Sequence, residues 1–201
     1  MNKLYAMVAL STAVLTGCGG GGDYGAEIDV PQTPVAQPIY EYLRYPTISG
    51  LEFFNSVNPA ISHLTDARGT YFGYAGGDTV TFILGDIVLF AMPGYLALPY
   101  GSLYDGAAYS DSLLRNDTAV ENLMAFLMTV DDDGDYRNGI QIAPTVRIAA
   151  RGLHINFNQT VAAFYSDPAV QYAVSVLSGN TLYGTRILPS PAQAQYALRT
   201  P

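Results

Sequence analysis

Thr79 to Leu84 reads Thr-Val-Thr-Phe-Ile-Leu, which puts Val80, Phe82 and Leu84 on one face of an extended chain. Gly85-Asp86 follows at once, and Ile87-Val88-Leu89-Phe90 resumes as an unbroken apolar run. Two such runs joined by a glycine–acid pair close as an antiparallel hairpin, because two residues cannot carry the crossover that parallel strands need. The second run lacks polar alternation, which predicts burial on both faces. The hairpin therefore lies inside the core.

Turn chemistry extends the pattern upstream. Ser49 to Phe54 reads as a short strand, Thr65-Asp66-Ala67-Arg68-Gly69 as a turn, Thr70 to Tyr74 as a strand and Gly76-Gly77-Asp78 as another turn. Short strands separated by Gly/Asp turns predict a small antiparallel sandwich or barrel. From Ala91 to Ser112 the prolines, glycines and tyrosines read as an irregular loop. The signal then changes period. Val120, Leu123, Met124, Leu127 and Met128 recur at helical spacing as a single apolar stripe, with Thr118 and Glu121 placed as a capping box, so a helix is expected over Thr118–Val130. Ile140 to Ile142 and Thr145 to Ile148 read as returning strands, and a short helical turn opens at Asn158 and runs to Phe164. Asp167-Pro168 starts a helix with Val170, Val174 and Leu177 on one side and Gly179 after its end. Beyond Asn180, the prolines at 189, 191 and 201 predict a tail that wraps or frays. The class is α+β: a small antiparallel β-sandwich with two or three packed helices.

Composition narrows the function. Only 13% of the 201 residues are charged and 49% are apolar, the balance of a packed globule. The net charge is −8, and every cation after Lys3 is an arginine. A body this acidic repels phosphate backbones and anionic lipid alike, so no nucleic-acid partner is expected, and a membrane has to be held by something other than charge. Cys18 is the only cysteine, which excludes an internal disulfide and a thiolate metal site.

Cys18 closes Leu15-Thr16-Gly17-Cys18, after one cation (Lys3) and an apolar stretch from Leu4 to Leu15 that is too short to span a bilayer. Residues 1–17 thus read as a signal peptide, and Leu15-Thr16-Gly17-Cys18 resembles the lipobox of bacterial lipoproteins. That resemblance implies cleavage before Cys18, a diacylglycerol on its sulfur, and, with Gly19 rather than aspartate next, the outer membrane. From 18 to 46 the chain is rich in glycine and then proline, a tether reaching roughly 25–30 Å. A β-rich module is expected over 47–112 and a helical and β part over 113–201. The run from Ser49 to Leu89 also resembles a module of proteobacterial surface lipoproteins and, more loosely, carboxypeptidase-regulatory-like sandwiches. The former group usually continues with an Asp-rich segment, matched here by Val-Asp-Asp-Asp-Gly-Asp-Tyr-Arg-Asn-Gly-Ile from Val130 to Ile140.

That segment is the main candidate site. Carboxylates at a helix C-terminus meet its partial negative charge, at about 0.3–1 kcal/mol each, and repel one another, so a cation is wanted there. Asp131, Asp133 and Asp135 occupy the first, third and fifth positions of a calcium-binding loop, and Asn138 adds a carbonyl oxygen. It is not an EF-hand: Tyr136 stands where the glycine belongs and Ile142 where the bidentate glutamate belongs. The alternative is a plain acidic turn with Arg137 as its counter-charge. No other cofactor is indicated. Sixteen tyrosines make an aromatic binding face the second candidate, with Tyr71, Tyr74, Tyr95, Tyr100 and Tyr104 as its members. No catalytic residues are assigned: His63 and His154 have no metal spacing, and Ser102 lacks the second glycine of a nucleophile elbow. The expected function is a non-enzymatic outer-membrane lipoprotein with a structural or surface-interaction role, held through Cys18 and meeting an envelope protein or glycan. The alternatives are a calcium-stabilised adhesin or carbohydrate-binding module, and an accessory subunit of an envelope secretion or transport complex.

Overall fold

A computed structural model describes residues 37–44, 46–96, 100–103 and 117–199, all within one compact unit spanning Val35–Pro201. Cys18 and Tyr104 lie outside the described residues. The class is α+β, with antiparallel sheets.

The hairpin forms as its sequence requires. β6 (Thr79–Leu84) pairs with β7 (Ile87–Pro93), and Val80, Phe82 and Leu84 are buried. The register slips after Phe82, which faces Phe90, whereas Ile83 faces Val88. Leu89 is thus a bulged residue, which lets Leu89 and Phe90 both turn inward. Phe82 and Phe90 stack with ring centroids 4.5 Å apart. β7 runs on through Ala91–Pro93, so the expected loop starts later than its prolines imply; Pro93 sits at the strand end, where a missing N–H costs least.

The expected strand over Ser49–Phe54 is two strands, β2 (Ile48–Ser49) and β3 (Glu52–Asn55), broken at Gly50, whose φ is 69°. A strand absent from the sequence reading, β4 (Asn58–Leu64), forms the edge of a four-stranded sheet ordered β4-β3-β6-β7. It is almost wholly exposed and carries Pro59, so it has neither alternation nor a buried face to betray it.

Part of the stretch expected as a tether is strand. Ile39–Leu43 forms β1, paired antiparallel with β5 (Thr70–Gly73) and parallel with β8 (Tyr100–Gly101). Glu41 and Leu43 are buried in that strand. Tyr71 on β5 meets Phe82 at 5.2 Å and Phe53 at 6.3 Å, so the three-stranded sheet packs its aromatic side onto the four-stranded one. Asp78 secures the turn before β6, accepting hydrogen bonds from Asn55 Nδ2, Ser56 Oγ and the Tyr74 N–H.

The helical half holds α1 (Asp117–Val130), α2 (Pro144–Ala149), α3 (Val161–Ser166), α4 (Pro168–Ser178) and α5 (Pro191–Arg199). This exceeds the two or three expected. α1 begins at Asp117, so Thr118 lies inside its first turn rather than at a cap. Ten of its fourteen residues are buried, among them Asn122, whose Nδ2 donates to the Phe157 and Gln159 carbonyls. The helix is therefore central, enclosed by α3, α4, α5 and β9 (Ile140–Gln141), not laid on a sheet by one stripe. No helix of the described residues is long and apolar enough to cross a membrane.

Three local expectations fail for identifiable reasons. Thr145–Ile148 is helical, as Pro144 at the first helical position favours, despite its β-branched residues. Thr160, not Asn158, caps α3, accepting from the Ala163 N–H. The tail is helical too: the Gln193 N–H donates to Ser190 Oγ, and the Ser190 N–H donates back to Gln193 Oε1. Ser190-Pro191-Ala192-Gln193 is a capping box with proline at the first helical position, and α5 buries Ala194, Ala197 and Leu198 against α1.

Replacing Ser190 with alanine removes the hydroxyl that accepts from the Gln193 N–H and donates to Gln193 Oε1, and is expected to lower stability by about 1 kcal/mol. Urea unfolding measures it; a midpoint unchanged from the native protein contradicts the cap.

Candidate functional site

The aspartate loop joins the two halves of the chain. Asp131 Oδ1 accepts from the Gln141 N–H, and the Asp132 N–H donates to the Gln141 carbonyl. Gln141 belongs to β9, which pairs with β2. The Asp132 side chain and carbonyl accept the N–H groups of Leu182 and Tyr183 from the segment after α4. The loop thus grips a strand on one side and a distant segment on the other.

The cation demanded by the C-terminus of α1 comes from far along the chain. Arg186 donates from Nη1 to the Met128 carbonyl and from Nη2 to the Asp131 carbonyl, two acceptors left open at the helix end. Its guanidinium lies 4.9 Å from the Tyr183 ring centroid. Burial pulls its pKa down, opposed by the charges of Asp131, Asp132 and Asp133. Gly134 makes the approach possible: φ is 75°, and a Cβ there would come within 2.6 Å of Tyr183.

Asp131, Asp133, Asp135 and Asn138, expected as calcium ligands, do not converge as a cage. Asp135 turns outward and pairs with Arg137, Nε to Oδ1 at 2.6 Å, an exposed contact worth little stability. Asp133 is covered by donors: the Asp135 N–H, Asn138 Nδ2 and Gln141 Nε2. The hydrogen bond from Asn138, first among these, holds the Asp133 carboxyl below its ordinary range. Among the described residues no three acidic, histidine or cysteine side chains are grouped to hold a metal. Asp131 is different. It is fully buried, its Oδ2 finds no donor in the protein, and its carboxyl faces that of Asp133 closely enough to share a proton. Burial, with the neighbouring Asp133 charge, raises its pKa to about 6.

The tyrosines divide. Tyr71 is no binding residue: it is 1% exposed, its hydroxyl donating to Glu41 Oε2 at 2.6 Å. The Leu96 N–H also reaches Glu41, whose pKa burial raises nonetheless. The alternation that buries Tyr71 turns Phe72 outward, where it meets Tyr40, Tyr74 and His63 at 5.8, 6.0 and 4.6 Å. Tyr40 and Tyr95 are exposed, while Tyr100 contributes backbone to β8. His154 is exposed and Ser102 half-buried.

A cavity of about 770 Å3 lies where the end of β1, the turn at Ala67-Arg68, the 3-10 turn Tyr136–Asn138 and α5 meet. Its lining includes Arg44, Arg68 and Arg137 with Tyr42, Tyr136 and Tyr196. The sequence carried no sign of this grouping, because its members come from four separate stretches. The chain matches no protein-family model, no curated protein and no solved structure.

A carboxyl whose folded pKa lies above its unfolded value favours the native state below the unfolded value, near 3.9, and that contribution is lost as pH rises through 6. Stability without divalent cations is therefore expected to fall from pH 5 to 7.5, by on the order of 1–1.5 kcal/mol from Asp131. Asp131→Asn replaces the protonated carboxyl by an amide that can donate to Asp133. It should flatten most of the slope in a melting series, leaving the smaller share of Glu41. An undiminished slope contradicts the assignment to Asp131.

Proposed function

We propose that this chain is a lipid-anchored protein of the bacterial outer membrane, with a structural or surface-interaction role rather than a catalytic one. The observation that carries the reading is Leu15-Thr16-Gly17-Cys18, the only cysteine of the chain, set between an apolar segment and a glycine tract. The acidic body supports it, since charge offers no second route to an anionic membrane. In this reading the β layers are a variant of the carboxypeptidase-regulatory-like sandwich, supported by the packing of Tyr71 against Phe53 and Phe82. The outward aromatic group of Tyr40, Phe72 and Tyr74 supports contact with an envelope protein or glycan. In cells fed labelled palmitate, the native chain should take up label and fractionate with the outer membrane. Cys18→Ser should lose both and appear in the soluble fraction. Retention of Cys18→Ser on the membrane overturns lipid anchoring.

A second reading, calcium stabilisation, is favoured by the unpartnered Oδ2 of buried Asp131 beside Asp133. A hard dication placed there would replace the shared proton, with Asp131 and Asp133 as carboxylate ligands and Asn138 offering its side-chain carbonyl after an amide flip. At pH 7.5, millimolar calcium should then raise the melting temperature of the native protein and leave Asp131→Asn unmoved. No shift in the native protein removes the reading.

A further inference from the structure

We propose that the face built by α4 and the segment from Leu182 to Leu188 joins two copies of this chain about a two-fold axis. All 17 acidic residues lie at or before Asp167, and between Asp167 and Arg199 the only charged residue is Arg186. Its guanidinium is turned inward, to the Met128 and Asp131 carbonyls. What this stretch presents outward is apolar or neutral. Tyr172, Leu182, Tyr183 and Ile187 are 63, 88, 65 and 87% exposed. They form one surface. Tyr172 lies one turn from Ser175 on α4, Ser175 and Ile187 line a single hollow of about 440 Å3, and Arg186, also in that lining, sits against the Tyr183 ring. The segment is not a loose end, because Asp132 accepts the N–H groups of both Leu182 and Tyr183. Its apolar side chains are therefore displayed on a fixed backbone, which lowers the entropy lost on association.

A second copy is the occupant that this surface fits. Two molecules of net charge −8 repel wherever their acids face each other, and a stretch without acids of its own is where they can approach. The two acids that adjoin it are engaged: Asp132 with the Leu182 N–H, and Asp167 with the Ala169 N–H and Gln159 Nε2. A charged partner would find nothing here to complement. The surface also holds both halves of a self-complementary contact, as a two-fold interface requires. Leu182 projects, and the hollow between α4 and Ile187 is floored by Val174 and Leu188, so Leu182 of each copy enters the hollow of the other. A tyrosine buries roughly 150–250 Å2, so two tyrosines, a leucine and an isoleucine at these exposures supply more than half of the ~800 Å2 per partner of a standard interface. An apolar patch of that size on a single molecule marks an interaction site. The pairing does not rest on the lipid: loss of the dimer leaves palmitate uptake untouched, and loss of the lipid leaves the dimer.

The test is light scattering of the native full chain in mild detergent across micromolar concentrations, with the protein mass separated from the detergent mass. The native chain should have the mass of a dimer. Leu182→Glu and Ile187→Glu should each raise the dissociation constant by about tenfold or more. Both positions are almost wholly exposed, so both variants should keep the native circular dichroism spectrum. They should also lose the concentration dependence of the melting temperature that a dimer confers. Val57→Glu, an equally drastic change at an exposed apolar position before β4, should leave the dimer intact. A native chain that is monomeric throughout, a dimer that survives both glutamates in the 182–188 segment, or one lost equally with Val57→Glu overturns the proposal. So does a Cys18→Ser chain that floats with phosphatidylcholine vesicles and is released from them by Leu182→Glu, since the face then belongs to lipid.

Discussion

The structure depends on how one helix end is satisfied. α1 is buried on nearly every side, and its final carbonyls run into three consecutive aspartates, an arrangement that is unfavourable in charge and leaves acceptors open. Arg186 answers both demands from more than fifty residues away, donating to the Met128 and Asp131 carbonyls. Everything near it is shaped by that approach: a glycine at 134, a tyrosine ring at 183, and Asp132 accepting the two N–H groups that hold the incoming segment. A lysine would place one charge there; a guanidinium can span two carbonyls at once.

The same loop fastens the helices to the sheets. Asp131 and Asp132 bond the backbone of β9, and β9 lies beside β2 in a parallel pair, so β2 reaches α1 through one short strand. Arg147 strengthens the seam by donating from Nη1 to the carbonyls of Gly50 and Ile142. An acidic loop that looks in isolation like a metal cradle is therefore first of all a joint. Its carboxylates are mostly occupied by backbone and side-chain donors, and Asp131 keeps a buried oxygen without one. The arginine–tyrosine cavity opens beside this joint, because the 3-10 turn that ends the loop forms one of its walls.

Where local chemistry decides, the sequence was legible. The hairpin of β6 and β7, the turn ending in Gly69, α1, and α4 with its Asp167 cap all appear where alternation, helical spacing and cap residues put them. The errors share a cause. β4 has no buried face, β1 emerges from a proline-rich stretch and is a strand only because β5 and β8 flank it, and α5 sits behind prolines that read as breakers. For α5 a local signal did exist in Ser190-Pro191-Ala192-Gln193, and the prolines masked it. Tyr71 shows the limit of alternation: the period is plain, but which of Tyr71 and Phe72 faces inward depends on the sheet packed opposite.

By itself the sequence determined the α+β class, the core hairpin, the single cysteine and its setting, and the electrostatic conflict at Asp131–Asp133, since each follows from residues adjacent along the chain. Tertiary structure alone decided that Arg186 resolves that conflict, that Tyr71 is buried on Glu41 while Tyr40 and Phe72 meet outside, and that Arg44, Arg68 and Arg137 share a cavity. These are encounters between residues far apart in sequence. Pairing of distant strands and packing of α5 on α1 bring them together, and no local periodicity encodes such a meeting.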